Sequence, residues 1–234
     1  MVSDAKESIV RKVLQISCDI STKEADLLDD IKNILNITGE EIAGDSFLNL
    51  ANQKLGLVLY YQIQACWHFL RSIFNLYLDR DYHSAYILGR SSAEYYIEFC
   101  FLLKEDSVSR ASEYLQAYEE GRDPFKKMTR YSTLEKRSKS VGLGDFYNMN
   151  YRSLCRFAHV DMRGSLIARN TEKFISDKPK FLLHMPGLFL EMLDIVSRKT
   201  GIRFSERVAA LIQEGLRRIE KSPDRGGELT LPNL

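Results

Sequence analysis

Two apolar runs in the middle of the chain, Leu55 to Leu78 and Ala85 to Leu103, constrain the fold more than any other feature. Each is far longer than an ordinary strand, and polar residues interrupt both at helical intervals. The first carries Gln62, Gln64, His68, Arg71 and Asn75, and the second carries Arg90, Glu94 and Glu98. Charges near the centre of a bilayer are costly, so both runs read as core helices and not as membrane spans. The expected fold is all-α, a multi-helix bundle with long central antiparallel helices.

The punctuation agrees. Only 13 Gly and 5 Pro are present, too few for a β-rich fold built on many tight turns. Ser21-Thr22-Lys23-Glu24 and Thr38-Gly39-Glu40-Glu41 have capping-box spacing, Asp81 can cap the second long run, and Asp123-Pro124 reads as a helix start. Gly142 and Gly144 close one helix, Pro186 opens another and Gly201 ends it. These signals predict helices near 4–19, 22–36, 40–78, 82–105, 107–120, 124–140, 146–169, 186–199 and 204–221. Residues 170–185 are expected as an irregular connection between them. In domain terms, 1–40 reads as a helical extension, 41–221 as the main helical domain and 222–234 as a disordered tail.

Composition narrows the setting. Cys18, Cys66, Cys100 and Cys155 are widely spaced in apolar helical contexts, which suits reduced, buried thiols in a cytoplasmic protein. No continuous apolar stretch of signal-peptide type opens the chain. The four histidines lack metal-ligand spacing, and His68, between Trp67 and Phe69, reads as a core residue. No dinucleotide, P-loop or nucleophile-elbow motif occurs, so no cofactor is expected. The net charge of +1 hides an asymmetry. Residues 1–50 hold five basic and ten acidic residues, whereas 122–169 hold eleven basic and four acidic. Such a positive segment suits an anionic partner such as RNA, or the acidic N-terminal part of the same chain.

Two helices can carry chemistry. In Tyr82 to Glu105, Arg90, Glu94 and Glu98 share one edge of a helix that is apolar nearly all round, so they are expected inside the bundle or lining a cleft. Buried charges need partners, and Arg90 and Glu94 at i,i+4 can supply each other as a packing device alone. In Asp145 to Arg169, Tyr151, Cys155, Ala158 and Met162 form an apolar stripe beside Arg152, Arg156, His159 and Arg163. Three guanidinium groups beside one imidazole make an anion-binding surface, and their charge favours a neutral imidazole able to act as a base. A solvated basic face is the other reading of that stripe. The final helix bears Val208, Leu211, Ile212, Gly215, Leu216 and Ile219 on one face, fit to dock on the bundle or on a second subunit.

Arg152 followed by His159 resembles the R-x4-6-H pattern of the HEPN superfamily of compact helical proteins. LGRSSAEYYIE paired with YRSLCRFAHVDMRGS is similar to a helical family grouped with the abortive-infection protein AbiV, marked by an R-x3-E helix and a Y-x-x-L-x-x-x-x-H helix. The resemblance spans roughly residues 48–169, and Ser153 stands where ribonuclease members often carry Asn, Asp or His. It implies metal-independent RNA cleavage at a cleft between two subunits, with His159 as base or acid and Arg152 as phosphate clamp. Beyond the resemblance, Arg156, Arg163 and Arg90 read as supporting residues of the anion site, and Glu94 would orient the imidazole if the two helices are neighbours. A homodimer and phage-defence or toxin activity follow from the same resemblance, with a partner protein also conceivable. The alternative is a non-enzymatic helical interaction or self-association module.

Overall fold

A computed structural model describes residues 25–104, 107–125, 132–152, 154–155 and 171–221. Among them there is no strand, and the helices pack as an all-α bundle. Helix α1 covers residues 25–42 and is followed by α2 (Asp45–Leu48) and a 3-10 turn (Asn49–Asn52). Next come α3 (Lys54–Leu78), α4 (Tyr82–Leu102), α5 (Ser107–Glu119) and α6 (Leu134–Ser140). Helix α7 (Gly144–Phe146) runs into a π-helical turn (Tyr147–Tyr151). Two helices complete the chain, α8 (Thr171–Thr200) and α9 (Glu206–Lys221).

The long central pair is α3 and α4, antiparallel across a tight reversal. The Asp81 amide donates to the Leu76 carbonyl at 2.8 Å and the Arg80 amide to Tyr77 at 3.1 Å. These paired bonds satisfy the last carbonyls of α3, and they require a left-handed residue at position 80, where Arg80 has φ 62. Asp81 then caps α4 by accepting from the Ser84 amide at 3.2 Å. Leu59, Ile63, Leu70 and Ile73 of α3 share one buried cluster with Ala93, Tyr96, Ile97 and Cys100 of α4. Leu188, Met192, Leu193 and Val196 of α8 complete it.

Smaller elements close over this core. Helix α1 contributes Ile31, Ile34 and Leu35, and the Trp67 indole of α3 donates to the Leu35 carbonyl at 3.4 Å. That helix runs across residue 40, where the sequence placed the edge of an extension. Helix α5 seats Ala111 against Val58 and Leu102. From α9, Val208 and Ile212 are buried in the core, and Gly215 lies so close to Leu190 that an added Cβ would fall 2.3 Å from its Cδ1. The apolar face of α9 is therefore occupied within the chain at these positions. No helix among the described residues is long and apolar enough to cross a membrane.

Several expectations are corrected. A single helix over 40–78 is interrupted at residues 43–53, where Gln53 is extended and the 3-10 turn presses on α3. A Cβ on Gly56 would sit 1.8 Å from the Leu50 carbonyl oxygen, so this backbone crossing depends on glycine. Thr38 does not cap a helix. It lies inside α1, fully buried, with its hydroxyl donating to the Ile34 carbonyl at 2.6 Å. Asp123 accepts from the Phe125 amide at 2.9 Å in a local turn, and Thr133 caps α6 instead. Residues 171–185 are helical, and neither Pro179 nor Pro186 stops α8. A proline inside a helix costs about 3 kcal/mol, which the burial of Met185, Leu188, Phe189, Leu190, Met192 and Leu193 can outweigh. His68 is exposed, its ring edge-on to Trp67, and is not a core residue. The expected helix 4–19, the Ser21 capping box, Cys18 and the tail from Ser222 lie outside the described residues.

One buried carboxyl makes the fold sensitive to pH. Glu191 of α8 is 5% exposed, beside Tyr96 of α4, and burial pushes it up to about 7, with Tyr96 and Arg198 pulling the other way. Because the folded value lies above the unfolded one, its contribution is fully present below about pH 4.5 and is lost as pH rises through about 7. Glu191→Gln should remove that loss. Relative to the native chain, the variant should gain roughly 2.5 kcal/mol in unfolding free energy between pH 5 and pH 8, measured by denaturant titration.

Candidate anion-binding site on the α4 edge

The site grows from the polar edge of α4. Arg90 and Glu94, one turn apart, form an ion pair with Arg90 Nη2 and Nε each 3.1 Å from Glu94 Oε1. Their side chains are 30% and 32% exposed, so they line the surface and are not sealed inside. The same carboxylate oxygen accepts from the Tyr151 hydroxyl at 2.6 Å. Tyr151 is itself buried, its ring stacked on Tyr147 with centroids 5.0 Å apart and planes 22° from parallel. The Arg90 guanidinium carbon stands 5.7 Å from the Tyr151 ring centre.

Electrostatics reinforce the trio. Burial pushes the Tyr151 phenol well above its ordinary range, and the bond to Glu94 and nearby Cys155 add to this. It therefore stays protonated and donates across the physiological range. Burial works against the Arg90 charge, but contact with Tyr151 and the Glu94 carboxylate prevail and hold it above its ordinary value.

One turn further along α4, Glu98 pairs with Arg137 of α6 at 3.0 Å, and here both side chains are well buried. Arg137 also lies over the Phe125 ring, 4.0 Å from its centre. Burial pushes Glu98 up to about 7, Arg137 pulls it down, and Glu94 adds repulsion. Around it, Tyr114 accepts from Gln62 at 3.3 Å and is pushed up to about 12, chiefly by burial and then by Glu98.

The structure brings Arg90 and Glu94 together with Tyr151, which the sequence had placed on an apolar stripe and at the head of the Y-x-x-L-x-x-x-x-H motif, with no partner named for its hydroxyl. Leu154, three residues on, is buried in the core. Arg152 is exposed, and lies close enough to Glu135 to assist Lys139, the main partner, in holding that carboxyl below its ordinary range. Arg156, His159 and Arg163 lie outside the described residues. The Arg137–Glu98 pair was not anticipated, since its members stand 39 residues apart and no local spacing joins them. Among the described residues no group of three His, Cys, Asp or Glu side chains stands close enough to hold a metal ion. Chemically, the α4 edge offers a guanidinium held by a carboxylate and reachable from solvent, and the residue that follows Tyr151 in sequence, Arg152, is a second exposed guanidinium.

No family model, no curated protein and no solved structure matches this chain. The site's own geometry therefore carries the functional argument.

The Glu98–Arg137 pair should behave as a buried ion pair whose partners depend on each other. Removing Arg137 alone, as Arg137→Met, should cost about 3 to 4 kcal/mol by leaving a carboxylate unmatched. The double variant Arg137→Met, Glu98→Gln should cost clearly less. Equal losses in single and double variants on urea unfolding would show that the pair carries no such dependence.

Proposed function

We propose that this chain is an HEPN-like, RNA-binding protein that cleaves RNA without a metal ion, acting as a homodimer in the cytoplasm, in phage defence or a toxin system. The observation that carries the reading is the Tyr151–Glu94–Arg90 contact. It joins the R-x3-E helix to the tyrosine of the Y-x-x-L-x-x-x-x-H segment, two motifs that lie 57 residues apart at this bond. The exposed Arg152 guanidinium follows directly on that contact, and the positive charge of residues 122–169 suits a polyanion.

In this reading Arg152 holds a phosphate by its forked donors, with Arg156 and Arg163 extending the grip. His159 takes the proton from the ribose 2′-hydroxyl, whose oxygen bonds to the adjacent phosphorus as the bond to the 5′-oxygen breaks. The leaving oxygen receives a proton, and the products are a 2′,3′-cyclic phosphate and a 5′-hydroxyl end. Arg90 and Glu94 support the segment from α4.

A second reading, a non-enzymatic interaction or self-association module, draws on Tyr61, Val108 and Tyr118, large apolar side chains that are more than half exposed. One experiment separates the two. Mixed RNA incubated with purified protein in EDTA should be cut to fragments ending in cyclic phosphate, and His159→Ala should slow this by roughly 100-fold or more. RNA profiles identical with and without the native protein would contradict cleavage and favour the module.

A further inference from the structure

We infer that Tyr151 is a positioning residue that fixes the rotational register of the Arg152-bearing segment against α4. The inference rests on the ribonuclease reading above and adds to it the device that aims the phosphate-binding arginine.

The segment does not enter as a plain α-helix. Between α7 and Arg152 the backbone makes a π-helical turn, Tyr147–Tyr151, in which hydrogen bonds skip one extra residue. Such a turn winds the chain by about one residue less than an α-turn, roughly 100° around the axis. Hydrogen-bonded π-turns are rare and persist where tertiary contacts outweigh their local disadvantage. Three contacts meet at its last residue. The Tyr151 hydroxyl donates to Glu94 at 2.6 Å, its ring stacks on Tyr147, and Arg90 stands over its face.

Register matters because of what comes next. Arg152 is the adjacent residue and is exposed, while Leu154 is buried. With Tyr151 anchored, Arg152 points outward and Leu154 points into the core. Rewinding the turn to α geometry would carry Tyr151 off Glu94 and swing Arg152 away by the same angle. Burial of Tyr151 and Leu154 already favours this register, and the phenol–carboxylate bond adds a directional contact that narrows it further. Among the described residues Tyr151 links Glu94 to the Arg152 segment, and Arg90 holds Glu94 in the acceptor orientation.

Tyr151→Phe tests this most directly, because it keeps the ring and removes only the donor. Single-turnover cleavage of RNA in EDTA is read beside the Kd for the same RNA with 2′-deoxy sugars, which binds without being cut. The turnover rate should fall about 10- to 100-fold, while Kd changes by less than about threefold and unfolding remains cooperative. Glu94→Gln keeps an acceptor for the phenol and should retain more activity than Glu94→Ala, which should match Tyr151→Phe. If Tyr151→Phe does not fold, the order of the two Glu94 variants decides the same point. Native turnover in Tyr151→Phe, or a rate loss no larger than the loss of folded protein, would overturn the inference while leaving the ribonuclease reading intact. A native protein that neither binds nor cuts RNA would overturn both.

Discussion

A carboxylate taken out of water must be met by donors, and α4 carries two such groups on one edge, Glu94 and Glu98. How they are met determines what packs beside them. Glu98 is answered by Arg137, which fastens α6 to the central helix pair. Glu94 is answered by Arg90 from its own helix and by Tyr151 from the π-helical turn. The apolar core supplies most of the stabilisation, but apolar contacts are non-directional and tolerate small rotations. The two carboxylates add direction, and through them the elements carrying the basic residues acquire a defined orientation on α4.

The two sites differ in exposure, and this difference suits different roles. Arg137 and Glu98 are enclosed, with Phe125 covering the guanidinium face, an arrangement that orders structure. Arg90 and Glu94 remain about one-third exposed. A guanidinium at that depth is partly desolvated yet open to an approaching anion, as phosphate recognition requires. Tyr151 belongs to both worlds, its ring in the core and its hydroxyl at the boundary.

Much of the helical architecture was legible in the residues because it depends on local period and on capping. The α3–α4 pair follows from two long apolar runs and the Asp81 cap, and Arg90 with Glu94 follows from i,i+4 spacing. What was illegible depended on tertiary context. Prolines 179 and 186 read as breaks because their cost is local, whereas the burial that outweighs it is distributed along α8. Thr38 has the composition of a cap, yet its position in α1 is set by the core contacts of Ile31, Ile34 and Leu35. The π-helical turn has no sequence period of its own. Tyr151 read as an apolar-stripe residue and as the first residue of a motif, and its bond to Glu94 emerged only when the helices were placed.

If Tyr151 and Glu94 act together in joining the Arg152 segment to α4, their energies must be coupled. A double-mutant cycle with Tyr151→Phe, Glu94→Ala and the combined variant, followed by denaturant unfolding, measures that coupling directly. The bond's short length and charged acceptor predict a coupling of roughly 1 to 2 kcal/mol, the double variant losing less than the sum of the singles. Losses that add within about 0.3 kcal/mol would contradict the account.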